Sequence, residues 1–143
     1  MVSIHMCDDD PDDRLLLKEA LQEANVQNDI DYTEDGEQLM RFLRREGEFE
    51  NLKGQPMPGL ILLDLNMPKK DGREALAEIK GDETLRHIPV VILTTSRADE
   101  DILKSYEMGV NSFISKPVTF GNLVVAVKTV TDYWFNVVEL PKR

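Results

Sequence analysis

Leu60-Ile61-Leu62-Leu63-Asp64 is an unbroken apolar run that ends on an acid. A second run, Pro89-Val90-Val91-Ile92-Leu93, ends on Thr94. Runs without alternation mark strands buried on both faces, the kind from which parallel sheets are built. Outward from this pair, short apolar segments alternate with helical patterns. Ile4 to Cys7, Ile30 to Thr33 and Ser112 to Ser115 read as three further strands. Leu17, Ala20, Leu21 and Ala24 repeat at helical spacing behind Pro11, with Asp12 and Asp13 in the first turn. Further helices are expected over 38–45, 72–80, 99–108 and 119–136. The last carries Phe120, Leu123, Val124, Val127, Val130 and Trp134 on its periodic positions.

The chain has 143 residues, enough for one domain with its own core. Its 17 Lys and Arg against 27 Asp and Glu give a net charge of −10, which disfavours a nucleic-acid surface. No apolar run approaches a membrane span and no signal peptide opens the chain, so a cytoplasmic protein is expected. The single cysteine, Cys7, excludes an intrachain disulfide and reads as a small buried hydrophobe.

Five strands alternating with five helices predict an α/β fold: a flavodoxin-like, doubly wound parallel sheet of (βα)5 type with strand order 2-1-3-4-5. Ligands of such sheets bind beyond the carboxyl ends of the strands. There the sequence puts Asp8-Asp9-Asp10 after strand 1, Asp64 after strand 3, Thr94 and Thr95 after strand 4, and Lys116 before Pro117 after strand 5. Each has an ordinary explanation alone: a helix cap, a turn, a solvated lysine. Their joint placement at four strand ends does not. Crowded carboxylates repel one another, and oxygen donors select a hard cation, Mg2+ or Mn2+. A carboxylate beside such an ion can attack phosphorus, and a hydroxyl and an ammonium can hold the added oxygens.

Four blocks carry a resemblance to a known family: Asp8-Asp9-Asp10-Pro11; Leu62-Leu63-Asp64-Leu65-Asn66-Met67-Pro68 with Asp71-Gly72; Ile88-Pro89-Val90-Val91-Ile92-Leu93-Thr94; and Phe113-Ile114-Ser115-Lys116-Pro117. In order and spacing they resemble the receiver domain of two-component response regulators, over about residues 2–135. The resemblance implies that Asp64 accepts a phosphoryl group from a phosphohistidine of a sensor histidine kinase. It implies that Asp8 and Asp9 hold Mg2+ with Asp64 and the backbone carbonyl of Asn66. Thr94 and Lys116 would bind the phosphoryl group, the bond to Pro117 would be cis, and Thr94 with Phe113 would form the conformational switch. The resemblance further implies a chain that catalyses its own phosphorylation and is not a classical metabolic enzyme. Thr95 and Ser96 bring no carboxylate or amide to steer water, so slow self-dephosphorylation is expected.

The receiver is expected over 1–136, with a loop insertion at 47–59 whose Phe49 and Leu52 fold back onto apolar surface. Residues 137–143 are read as a tail. Tyr133, Trp134, Phe135, Val137 and Leu140 make an apolar aromatic terminus suited to a homodimer through the helix 4, strand 5 and helix 5 face. Adjacent helical residues diverge by about 100°, so only one of Trp134 and Phe135 is expected to join the core. Insert and tail together resemble the stand-alone receivers that partner phytochromes, which implies a phytochrome-type kinase. No output domain is expected after Pro141. The alternatives are a phosphorelay intermediate, a receiver-like scaffold that works without phosphate, a haloacid-dehalogenase-type hydrolase and a flavodoxin. Asn66 stands where the hydrolase needs a second Asp, and the triple Asp after strand 1 would repel a flavin phosphate.

Overall fold

A computed structural model of the chain describes residues 3–67, 69–94, 102, 104, 106–107, 109–110, 112–116 and 119–137. Five parallel strands form one sheet: β1 (Ile4–Cys7), β2 (Ile30–Thr33), β3 (Leu60–Leu63), β4 (Val90–Thr94) and β5 (Ser112–Ser115). Their order is β2-β1-β3-β4-β5, as the sequence predicts. The helices described in full are α1 (Pro11–Glu23), α2 (Gly36–Arg44), α3 (Gly72–Gly81) and a C-terminal helix (Phe120–Asp132).

Every one of these helices starts on a side-chain cap. Asp10, Asp35, Asp71 and Thr119 each accept a hydrogen bond from a backbone N–H in the first turn. The cap at Asp35 starts α2 at Gly36, two residues before the start expected at Gln38. At its other end Arg45 adopts a left-handed conformation (φ 56°, ψ 47°).

Parallel pairing divides the side chains of each strand between two cores. Ile61 and Leu63 of β3 face α2 and α3, in a cluster with Leu39, Phe42, Leu43, Leu76, Ile79 and Ile92. Leu60 and Leu62 face α1 and the C-terminal helix, with Leu17, Leu21, Val91, Leu93 and Val127. Full burial on both faces is why these strands read as continuous apolar runs.

The 47–59 segment lies between α2 and β3. It contains a 3₁₀ turn (Gly47–Leu52), and Phe49, Leu52 and Met57 pack onto the first cluster. The buried guanidinium of Arg45 pins it, donating to the carbonyls of Phe42 at 2.9 Å and Pro56 at 2.9 Å.

One expectation is corrected. After the C-terminal helix the chain widens into a π-turn (Tyr133–Val137), and both Trp134 and Phe135 are half-buried against the second cluster. The wider turn changes their angular phase, so neither is excluded from the core. Of the three neighbouring aromatics in the turn, Tyr133 is the exposed one, at 50%. The expected fourth helix is described only at residues 102, 104, 106 and 107, which are helical. Thr95, Ser96, Pro117, Leu140 and the side chain of Val137 lie outside the described residues. Among the described residues, no helix is long and apolar enough to cross a membrane.

Candidate phosphoryl and cation site

The strand register builds the site. Cys7 pairs with Thr33 and Leu63, Leu63 with Ile92, and Thr94 with Ser115, so β1, β2 and β3 end level and β4 and β5 run two residues further along the same edge. The ladder continues one residue beyond. Asp8 donates its N–H to Thr33 O at 3.1 Å, Asp64 to Cys7 O at 3.0 Å, and Lys116 to Thr94 O at 2.7 Å. Side chains on these residues are thereby aimed into one crevice.

Asp64 is buried and fully engaged. Its Oδ1 accepts from the Thr94 hydroxyl at 2.6 Å and from the Asn66 N–H at 3.2 Å, and its Oδ2 accepts from Lys116 Nζ at 3.2 Å. The Asn66 side-chain amide lies at 3.5 Å from Thr94 Oγ1. Asp8 is also buried. Its Oδ1 accepts from the Asp10 N–H at 3.0 Å and its Oδ2 from Lys116 Nζ at 2.6 Å. Arg14 Nη1 donates to the Asp8 carbonyl at 2.7 Å and braces the turn into α1.

Electrostatics follow from this crowding. Burial raises the Asp8 carboxyl above its ordinary range, and hydrogen bonds from Lys116 and Asp10 work against it. Burial alone would lower the Lys116 ammonium. Hydrogen bonds to Asp13 and Asp8, with the nearby Asp64 charge, raise it instead, so Lys116 stays charged. Cys7, behind the site, is pushed up to about 12 by burial and stays a thiol, in contact with Asp35 O and Met67 Sδ at 3.4 Å each.

Asp8, Asp9 and Asp64 each place a carboxylate oxygen within 4.8 Å of the others. The donors are all oxygen, and among the described residues Lys116 bonds two of the three, Asp8 and Asp64. Such a set fits a hard divalent cation, Mg2+ or Mn2+.

The sequence-predicted Asp8, Asp9, Asp64, Thr94 and Lys116 therefore come together. Asn66 joins through its N–H and side chain; its carbonyl makes no described contact with the cluster. Phe113 is placed on β5, half-buried against the first core cluster, and its N–H donates to the Tyr106 hydroxyl at 3.2 Å. Tyr133, Trp134 and Phe135 belong to the π-turn, apart from the carboxylates.

Asp13 was missed by sequence reasoning. It takes a hydrogen bond from Lys116 Nζ at 2.8 Å. Two helical acids behind a proline look like dipole compensation, and no spacing rule separates Asp13 from Asp12. The one available signal is that Asp13 lies on the α1 turn directly after the acidic strand end.

Gly72 closes the other wall. Its N–H donates to Leu65 O at 3.0 Å, and a Cβ there would lie 2.1 Å from the Asp64 carbonyl oxygen.

A doubly wound parallel sheet with an acid cluster, a hydroxyl and a lysine at its carboxyl edge defines a receiver-type site. The response regulator receiver domain model matches residues 4–128, and the chain belongs to that family. It is 42% identical over 138 residues to response regulator Rcp1 of Synechocystis, covering 96% of this chain and 92% of that protein. Among solved structures it is similar to the phosphorylated cyanobacterial phytochrome response regulator RcpA, with TM-score 0.90, 42% identity and 99% of each chain covered. It is equally similar to the Mn2+-bound form of Rcp1, with TM-score 0.89, 41% identity, and 99% and 100% of the two chains covered.

Proposed function

We propose that Asp64 is the phosphoacceptor of a Mg2+-dependent response regulator. An Asp64 carboxylate oxygen attacks the phosphorus of a phosphohistidine on a sensor histidine kinase. The O–P bond forms as the P–N bond breaks, and the imidazole keeps the electron pair and takes a proton from solvent. Asp8, Asp9 and Asp64, with the Asn66 carbonyl, would hold a divalent cation, which would supply charge neutralisation for the carboxylates and the phosphoryl oxygens. Lys116 supplies a fixed positive charge on one side of Asp64. Thr94, already donating to Asp64 Oδ1, has its hydroxyl where an added oxygen needs a donor.

The observation that carries this reading is the convergence on Asp64. Thr94 Oγ1 at 2.6 Å and Lys116 Nζ at 3.2 Å bracket a buried carboxylate whose neighbours Asp8 and Asp9 complete an oxygen cluster. Thr94 is fully buried and its hydroxyl is committed to Asp64 in this state. Transfer of that hydroxyl to a phosphoryl oxygen pulls β4, and half-buried Phe113 on the adjoining β5 turns inward; this is the proposed switch.

The similarity to RcpA and Rcp1 over nearly the whole chain supports a phytochrome-type photoreceptor kinase as the donor. Exposed Val125 and Tyr133 on the C-terminal helix and π-turn support a homodimer through the face of helix 4, β5 and the C-terminal helix.

The test is intact-mass measurement after incubation with acetyl phosphate and Mg2+. The wild type is expected to gain one phosphoryl mass and the Asp64→Asn variant none. A wild type that gains nothing refutes the reading. Sedimentation of the same samples reports whether the dimer forms.

A further inference from the structure

The Lys116 ammonium has three hydrogens and no acceptor capacity, and three carboxylates share them. Asp8 Oδ2 lies at 2.6 Å, Asp13 Oδ2 at 2.8 Å and Asp64 Oδ2 at 3.2 Å. Asp8 and Asp64 also belong to the oxygen cluster that suits a cation; Asp13 does not. Asp13 stands in the first turn of α1 with its side chain 33% exposed, against 0% for Asp8. A dication among Asp8, Asp9 and Asp64 repels the ammonium and competes with it for two of its three acceptors. Lys116, itself only 13% exposed, then needs an anionic partner that the cation does not claim.

We propose that Asp13 is a positioning residue: it retains the Lys116 ammonium when Asp8 and Asp64 turn to a divalent cation, and so strengthens cation binding through Lys116. The proposal rests on the reading of Asp8, Asp9 and Asp64 as a cation site. Asp13 also attracts a cation directly through space, and the two effects are separable. Direct attraction persists when Lys116 is removed; retention of the ammonium does not.

The experiment is a double-mutant cycle on the full chain, read as the Mg2+ dissociation constant by titration calorimetry. Its members are wild type, Asp13→Asn, Lys116→Met and the double variant. Asparagine keeps the size and one acceptor oxygen but loses the charge. Asp13→Asn is expected to weaken Mg2+ binding about fivefold in the wild type and less than about twofold beside Lys116→Met, the coupling of two groups in contact. Asp13→Glu is expected to recover most of the loss. Thermal melts verify each fold, and Lys116→Gln replaces the methionine variant if that chain does not fold. Equal losses in both backgrounds overturn the proposal in favour of direct attraction. No loss in either overturns it as well. A wild type that binds no Mg2+ overturns the cation site and the proposal together, a result distinct from both.

Discussion

Replacing Gly72 with alanine sets two effects of opposite sign against each other. Gly72 is the first residue of α3, and by helix propensity an alanine in a helix is better than a glycine by about 0.5–1 kcal/mol. Sterics oppose this. The new Cβ would lie 2.1 Å from Asp64 O and 2.7 Å from Leu65 Cα, where ordinary contact begins at 3.4 Å. Both obstacles are backbone, so no rotamer change relieves them. Asp64 is tied to Cys7 O through its N–H, and Gly72 to Leu65 O through its own. Either the start of α3 or the tip of β3 must therefore shift. Overpacking of this kind costs about 1–3 kcal/mol, and a rigid obstacle puts it at the upper end, for a net loss of about 2 kcal/mol. Gly81, the last residue of the same helix, has nothing within 4 Å of its would-be Cβ. Gly81→Ala is accordingly expected to be neutral or to stabilise by up to about 1 kcal/mol. Urea denaturation at unchanged slope measures both. Because the shift moves Asp64, phosphoryl uptake from acetyl phosphate should fall in Gly72→Ala alone. A Gly72→Ala chain as stable as the wild type would refute the steric argument.

Three further outcomes are expected. Burial lowers His5 from 6.5 to about 3 and keeps it neutral, hydrogen-bonded to Thr33 Oγ1 at 2.9 Å and stacked on Phe42. Below pH 6.5 the unfolded chain binds a proton that the folded one does not, so this residue removes stability as pH falls towards 3, at about 1.4 kcal/mol per pH unit. Stability curves of wild type and His5→Gln should diverge over that window and run parallel above it; parallel curves throughout would contradict the assignment. Arg45→Ala is expected to lose about 2–3 kcal/mol by freeing the carbonyls of Phe42 and Pro56 from a charged donor. Arg45→Gly should lose about 1 kcal/mol less, because glycine accepts φ 56° without strain, and denaturation of the pair checks the order. Mg2+ at ten times its dissociation constant should stabilise the chain by about 1.4 kcal/mol over potassium at matched ionic strength, and Asp9→Asn should reduce the gain; an equal shift with potassium would point to screening alone.

The sheet was legible because its central strands are buried on both faces. Leu60–Leu63 and Val90–Leu93 could be little else, and the residue after each then fell at the functional edge. Asp8, Asp64, Thr94 and Lys116 were found by position as much as by type. What escaped the sequence depends on angular detail that apolar periodicity does not encode. The cap at Asp35 sets where α2 begins, and the left-handed Arg45 sets where its guanidinium reaches. The π-turn after Asp132 brings Trp134 and Phe135 onto one core, contrary to the 100° argument. Asp13 escaped for the same reason: its contact with Lys116 depends on how α1 leaves the sheet, where Asp10 caps the helix, Pro11 opens it and Arg14 bonds the Asp8 carbonyl.

The core and the site share one cause. Parallel strands present all their carboxyl ends at one edge of the sheet, so the residues that follow them share a common space. In this chain that space receives Asp8, Asp9 and Asp64 with one ammonium, while the apolar clusters on both faces hold the strand tips fixed. Such a sheet does not let the acids move apart. The repulsion is met by Lys116, by the Asp10 and Asn66 N–H groups and by the Thr94 hydroxyl, each at a separate carboxylate oxygen or sharing one. These donors are what a cation or a phosphoryl group would rearrange. Lys116 and Thr94 adjoin in the sheet ladder through the Lys116 N–H bond to Thr94 O, which ties the end of β4 to the end of β5. Asp64 at the tip of β3 is thus joined, through the Thr94 hydroxyl and the Thr94 carbonyl, to the strand that carries Phe113.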